Sequence, residues 1–400
     1  MDIVIVAQYL RDIEQLEGNN SRFLYLANLL SNSEHSVEVI TSAFKHITKS
    51  KAQALRQPER FTITALDEPG YPRNVCLQRL YSHHVLGRRL SAYLAARRVP
   101  DVIYCAVPSL SVASAAASYA ERHHVRFIVD VQDLWPEAFR IAVNIPVLSD
   151  LAFAPMAVQA NRIYAQADEI VAVSETYCRR AQRVNRKAET VYPVFLGTNL
   201  EEFDANVRNH PPALEKQPEE LWLGYCGTLG ASYDLKSVMD ALVLLRERGL
   251  KPPKLIVMGD GPREEEFKAY AAEKRVDALF TGRLAYPVMC GLLSACDIAV
   301  NPITGGAAQS IINKHGDYAA SGKPVVTTQE SPEYRELVEA YQMGFNCENG
   351  NGADLAEKLQ RLTEDEALRL EMGRNARRCA EERFDRKNSY TELAELICRR

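Results

Sequence analysis

Short apolar runs alternate with longer helical patterns along the whole chain, and the alternation restarts after a polar, proline-bearing stretch. A run that is apolar at nearly every position is a strand buried on both faces, which a parallel sheet covered by helices provides. Residues 3–7 form such a run, and strands are expected again at 37–41, 61–66, 102–106, 127–131, 169–173 and 189–192. Between them lie helical patterns: one that Ser21 can cap, then 75–98, 110–123, 151–167, and one that Ser174 can cap. The stretch 206–220 is polar and carries Pro211, Pro212 and Pro218, which makes it a linker candidate. Beyond it strands are expected at 221–226, 254–258, near Leu279, at 298–301 and at 325–328, with helices at 235–248 and 263–274. Residues 365–400 read as a charged helical tail.

Strand–helix alternation on both sides of a linker implies two doubly wound, parallel-sheet domains. Their ligands would bind beyond the carboxyl ends of the strands, so two such domains facing each other would form a central cleft. Four hundred residues suit this division, and 46% hydrophobic with 25% charged residues is the balance of a globular chain. A net charge of −4 gives no support to a nucleic-acid binder. Nine scattered Cys without a C-x-x-C pair argue against a disulfide framework or a zinc site and suit a reducing cytoplasm. The apolar start stops at Gln8 with no basic segment before it, so a strand is expected there and not a signal peptide.

Three strand-end signals stand in the second half. Gly227-Thr228-Leu229-Gly230 and Gly259-Asp260-Gly261-Pro262 each follow a strand and precede a helix. Glycines there let backbone N–H groups approach an anion, although glycine-rich turns are often only turns. The third is Gln309-Ser310-Ile311-Ile312-Asn313-Lys314-His315-Gly316-Asp317, where Ser310 can cap a helix that carries Asn313, Lys314 and Asp317. Lys314 offers charge to a phosphate and Asp317 a carboxylate to ribose hydroxyls; the plain alternative is a solvated Lys314–Asp317 ion pair.

In the first half Asp133 follows a buried strand inside Gln132-Asp133-Leu134-Trp135-Pro136, placed for hydrogen bonding or base work or else for a local turn. The loop with Gly18 and Asn19 is a second candidate wall, or an ordinary turn. Residues 70–100 hold six Arg, two His and no acid, with an apolar stripe of Leu77, Leu80, Tyr81, Leu86, Leu90, Tyr93 and Leu94. Such a helix either packs on its sheet with the arginines in water or lies on an anionic bilayer. The paired histidines lack a metal-ligand pattern.

These segments, with Leu196-Gly197-Thr198-Asn199 and Gly322-Lys323-Pro324, resemble in order and spacing the bacterial glycosyltransferases of family 4 with the GT-B fold. The likeness is nearest to enzymes of surface polysaccharide assembly. It implies a retaining, metal-independent, hexosyltransferase-type enzyme that takes a UDP- or GDP-sugar and needs no cofactor. The acceptor would be a lipid-linked glycan or oligosaccharide, and the enzyme cytoplasmic or peripheral on the inner face of a membrane. Residues 1–200 would receive the acceptor, 201–380 would hold the donor, and 381–400 would return to the first domain. The donor set implied is Gly227, Thr228, Gly230, Gly259, Asp260, Gly261, Gln309, Ser310, Asn313 and Asp317, with Gly18 and Asn19 on the acceptor side. Asp133, Lys314 and Arg283 would carry catalysis. The family's paired glutamates fall on Gln309 and Asp317, and Thr228 stands where many relatives have an Arg; Lys236, Arg283 and Lys314 are the substitutes available. The neutral Gln309 leaves open a catalytically weak nucleotide-sugar-binding partner subunit, and the architecture is shared with sugar-nucleotide epimerases.

Overall fold

A computed structural model describes residues 1–10, 13–14, 21–32, 35–140, 148–306 and 311–399. Gly18, Asn19, Gln309 and Ser310, four of the candidate site residues, lie outside them. The chain forms two α/β units, one of residues Met1–Phe195 with Ser389–Arg400 and one of Leu196–Asn388.

The first unit contains β1 (Asp2–Val6), β2 (Ser36–Ser42), the hairpin β3 (Phe44–Lys45) and β4 (Ser50–Lys51), then β5 (Thr62–Leu66), β6 (Val102–Val107), β7 (Arg126–Val131), β8 (Glu169–Ala172) and β9 (Val191–Pro193). Its helices are α1 (Arg22–Ser31), α2 (Leu77–Ala96), α3 (Leu110–His123), α4 (Glu137–Arg140), α5 (Leu148–Gln166) and α6 (Glu175–Gln182). All its paired strands outside the hairpin are parallel, in the order β5-β2-β1-β6-β7-β8-β9. Every residue of β6 is buried, as a strand covered on both faces requires. Ser174 caps α6 by accepting from the Tyr177 N–H at 3.2 Å.

The second unit contains β10 (Trp222–Cys226), β11 (Lys254–Met258), β12 (Ala278–Gly282), β13 (Ile298–Asn301), β14 (Val325–Thr327) and β15 (Gly344–Asn346). Its helices are α7 (Leu200–Asn209), α8 (Leu235–Glu247), α9 (Glu264–Lys274), α10 (Tyr286–Ala295), α11 (Asn313–Ala320), α12 (Pro332–Tyr341), α13 (Gly352–Glu364) and α14 (Glu366–Cys379); a π-helix, Ala380–Phe384, leads into α15 (Arg386–Cys398). The sheet order is β12-β11-β10-β13-β14-β15, again parallel. In both sheets the order reverses direction at the first strand, between β1 and β6 and between β10 and β13. Ligands of doubly wound sheets sit at that reversal.

The polar stretch after residue 206 is not where the chain changes unit. The change falls at Phe195/Leu196, and 206–220 lies inside the second unit. There the entering chain pairs with the leaving chain: Thr198 N–H donates to Phe384 O at 2.8 Å and Arg386 N–H to Thr198 O at 3.1 Å. Gly197 has φ +61, and a Cβ on it would stand 2.5 Å from Phe384 O. This junction is closed by contacts distant in sequence, so composition does not mark it.

From Ser389 the last helix belongs to the first unit, where Tyr390, Leu393, Leu396 and Ile397 join the core of Ile3, Ile5, Leu26 and Val39. Its polar anchor is Arg22, which is 4% exposed. Arg22 Nε donates to Asp130 Oδ2 at 2.9 Å, and its Nη1 donates to Val194 O at 2.8 Å and Tyr390 OH at 3.2 Å. Tyr104 OH completes the ring by donating to Asp130 Oδ2 at 2.6 Å. One ion pair thus ties β7, the end of β9 and the terminal helix. Breaking one side of such a pair leaves a buried charge without a partner. Arg22→Met is therefore expected to lower the unfolding free energy by about 3–5 kcal/mol in urea titrations, with most of the loss recovered by adding Asp130→Leu.

Candidate functional site

The carboxyl ends of β10 and β11 approach more closely than side chains would allow. A Cβ on Gly259 would lie 1.9 Å from Gly227 O, and one on Gly227, at φ +137, would lie 2.2 Å from Lys314 Cε. The two turns are joined by backbone bonds, Gly227 N–H to Met258 O at 2.9 Å and Leu229 N–H to Asp260 O at 2.7 Å. Thr228 and the Asp260 side chain are exposed at this edge, with Gly230 and Gly261 half-buried. Glycine is required here for the approach itself.

Over these turns lies α11. Its first residue is Asn313 and its N-cap position is Ile312, so the expectation that Ser310 caps it is corrected. An apolar residue at that position offers no side-chain oxygen to the first-turn N–H groups. The cap's own N–H donates instead to His315 Nδ1 at 3.0 Å. Tyr318 pins the helix to the end of β10: its hydroxyl accepts from Cys226 N–H at 3.1 Å and donates to Cys226 O at 3.3 Å.

That placement sends Lys314 across Gly227 between two tyrosine rings. Its ammonium is 3.5 Å from the Tyr233 ring centroid and 4.4 Å from that of Tyr225, and it donates to Tyr225 OH at 3.0 Å. Among the described residues no carboxylate pairs with it, so the solvated Lys314–Asp317 ion pair is not formed. Burial without a counter-ion pushes the amine down to about 7. An oxyanion reaching this point would supply the missing charge.

Asp317 points elsewhere. It is 8% exposed, and its Oδ1 accepts from Thr198 Oγ1 at 2.8 Å and Tyr286 OH at 2.9 Å. Burial pushes its carboxyl up to about 6, against the pull of these two donors and of Arg386. Among the described residues Oδ2 accepts no hydrogen bond, which leaves one oxygen for a ligand hydroxyl. Asn313 is exposed at the helix start. Of the substitute cations, Lys236 is already paired with Glu266 at 2.7 Å, whereas Arg283, in the turn after β12, is exposed without a partner among the described residues. Lys314, Gly227 and Gly259 are thus brought together, with Tyr225 and Tyr233, which the sequence reading did not single out. Tyr225 lies inside a buried strand and reads there as core.

On the first unit Asp133 is half-buried just past β7. Its carboxylate accepts from Leu134 N–H at 2.9 Å and Trp135 Nε1–H at 3.3 Å. Burial raises its pKa; those bonds, a Tyr177 hydroxyl and the charge of Arg79 oppose the rise. The arginine-rich helix is α2, and its stripe divides. Leu86, Leu90 and Leu94 are buried, while Leu77 and Tyr81 are 83% and 63% exposed. Arg79 is turned inward and Arg97 pairs with Asp2 and Glu38, so these two do not stand in water, whereas Arg89, paired with Asp67, stays exposed, as do Arg88 and Arg98.

Comparison with known proteins adds family evidence. A family model described as glycosyl transferase 4-like domain matches residues 17–197, and one described as glycosyl transferases group 1 matches residues 220–365. An uncharacterized glycosyltransferase of Methanocaldococcus jannaschii is 21% identical over 238 residues, which are 59% of this chain and 59% of that protein. The chain thus matches less than two thirds of that relative. Among solved structures, Anabaena HepE in complex with UDP is 18% identical, covers 99% of both chains and has a TM-score of 0.68. WaaG, a glycosyltransferase involved in lipopolysaccharide biosynthesis, is 15% identical over 99% of both, at a TM-score of 0.64. At these identities the solved structures speak for the fold.

The raised carboxyl of Asp317 sets a pH signature. Between the unfolded value and about 6 the native state binds the extra proton, so this residue's stabilising share is full at acid pH and lost as pH rises through about 6. Asp317→Asn, which keeps an acceptor for Thr198 and Tyr286, is expected to exceed the wild type by roughly 1–3 kcal/mol above that window and to lose the advantage below about pH 4. Chemical unfolding at several pH values reads this directly.

Proposed function

We propose, of a chain that belongs to the family 4 glycosyltransferases of the GT-B type, that it moves a sugar from a nucleotide diphosphate donor to a glycan acceptor with retention at the anomeric carbon. The observation that carries the reading is Lys314: an ammonium held among neutral partners at the carboxyl ends of β10 and β11. A diphosphate meets that need, with the N–H groups of Thr228 and Gly230, which the two turns leave unused among the described residues, as further donors and exposed Arg283 as a second cation. The free Asp317 oxygen would accept a ribose hydroxyl, and Gln309 would contact the sugar.

In the transfer the bond from the anomeric carbon to the diphosphate oxygen breaks and one to the acceptor oxygen forms on the same face. The acceptor proton goes to the departing diphosphate or to Asp133, whose raised pKa makes it a better base. Charge grows on the leaving diphosphate, so Lys314 acts most strongly at the transition state. Metal independence follows if these groups suffice for that charge. The acceptor is a lipid-linked glycan of surface polysaccharide assembly, a reading supported by the likeness to WaaG.

A membrane seat fits this acceptor. Val75, Leu77, Leu80 and Tyr81 are exposed at the start of α2, near exposed Arg73 and Arg88. Exposed apolar side chains with two exposed arginines on the same segment suit an anionic bilayer surface on the cytoplasmic side. No helix among the described residues is long and apolar enough to cross a membrane.

Lys314→Met keeps the aliphatic stem between the tyrosines and removes the charge. It is expected to lower turnover at saturating donor by about 10²–10³-fold, with transfer from UDP- and GDP-sugars as the assay; wild-type turnover would contradict the role. Leu77→Ser/Tyr81→Ser is expected to abolish low-salt sedimentation with phosphatidylglycerol vesicles while leaving UDP binding intact.

A further inference from the structure

At the reversal point of the first sheet stands a second group of cations among aromatic rings. Tyr9 follows β1, His46 and Lys49 lie between β3 and β4, Tyr71 follows β5, Arg79 and His83 open α2, and Trp135 follows β7. Arg79 is 9% exposed, with its guanidinium carbon 4.7 Å from the Trp135 ring centroid and 5.5 Å from that of Tyr71. It donates to Asn74 O at 2.7 Å and Tyr9 OH at 3.1 Å, both neutral oxygens. Its Nε is buried and has no acceptor among the described residues. Lys49 lies over the same Tyr71 ring, 4.9 Å from the centroid, and donates to His46 O and Asn74 Oδ1.

Among the described residues neither cation has a carboxylate partner. Glu68, 1% exposed, is taken up by Gln8, Ser42 and Ser82, and Asp133 by Leu134 and Trp135. Burial and the charge of Arg79 push the Lys49 amine down, and burial with Arg79 pushes His83 down to about 3, so that ring is neutral. A buried guanidinium N–H without an acceptor is costly, and an oxyanion is what a guanidinium fork matches best. Trp135 and Tyr71, 5% and 4% exposed, pack against the guanidinium and hold it in place.

We propose that Arg79 and Lys49, framed by Tyr9, Tyr71 and Trp135, seat an oxyanion carried by the acceptor, so that the substrate class is an anionic glycan. The inference rests on the reading that the first unit receives the acceptor. The shared chemistry is a phosphoryl or carboxylate oxygen, borne by a phosphorylated or diphosphate-linked sugar in one case and by an acidic sugar in the other.

The experiment uses full-length protein carrying Trp222→Phe, which leaves Trp135 as the indole reporter, since the chain has two Trp. Inorganic phosphate, pyrophosphate and glucuronate are titrated separately at fixed ionic strength. A saturable change in Trp135 emission is expected, weakened about tenfold or more by Arg79→Met and several-fold by Lys49→Met, with UDP affinity unchanged in both. Response to phosphate or pyrophosphate alone assigns a phosphoryl acceptor, and response to glucuronate alone an acidic sugar. Lys49 is only half-buried, so Lys49→Met serves if Arg79→Met fails to fold. No saturable response to any anion, or a response that neither variant weakens, overturns the proposal. UDP binding without an anion response sinks this inference but spares the transferase reading; the converse spares this inference alone.

Discussion

An ammonium group set between two tyrosine rings, with a phenol oxygen as its hydrogen-bond partner and no carboxylate paired with it among the described residues, is the feature from which the second unit makes sense. Desolvation penalises that charge, and nothing in the described residues compensates for it fully. The surrounding geometry exists to keep it there. Gly227 leaves space for the lysine stem, Gly259 lets the neighbouring turn close on Gly227, and Tyr318 fixes α11 to β10. Asp317, one turn along the helix, is strained in the same sense: a buried carboxyl raised towards neutrality by loss of water. Two groups held against their solution preferences on one short helix are the mark of a site shaped for a ligand.

The two units repeat one solution with different chemistry. Each sheet reverses its strand order at its first strand, and each places cations among aromatic rings at the carboxyl side of that reversal. In the second unit the cation is a lysine beside glycine turns, where backbone N–H groups can share the work of holding phosphates. In the first it is a guanidinium packed against a buried indole.

Most of the secondary structure was legible, because parallel strands buried on both faces read as unbroken apolar runs and their helices as a longer period. The glycine pairs were legible as strand-end turns, though each alone reads equally as an ordinary turn; it is their closure on one another and on Lys314 that the structure adds. What escaped depends on distant partners. Tyr225 reads as core until α11 lays Lys314 against it, and Thr198 and Tyr286 reach Asp317 from 119 and 31 residues away. Arg79 looked like the solvent face of an amphipathic helix, but the rings that surround it, Tyr9, Tyr71 and Trp135, come from three separate loops. The cap of α11 is Ile312, a residue with no capping chemistry, so Ser310 drew the prediction. The proline-rich stretch suggested a boundary that long-range pairing at Thr198 and Arg386 sets elsewhere.

The central claim is that Lys314 waits for an anion and is charged fully only when one arrives. Calorimetric titration of UDP at about pH 8.5, in buffers of different ionisation enthalpy, tests it, because a free amine near 7 must take up a proton to pair with the diphosphate. The account predicts uptake of about one proton per UDP at that pH, falling towards zero below about pH 6 and absent in Lys314→Met. Binding enthalpies that do not depend on the buffer at the alkaline pH, or uptake that survives Lys314→Met, would contradict it.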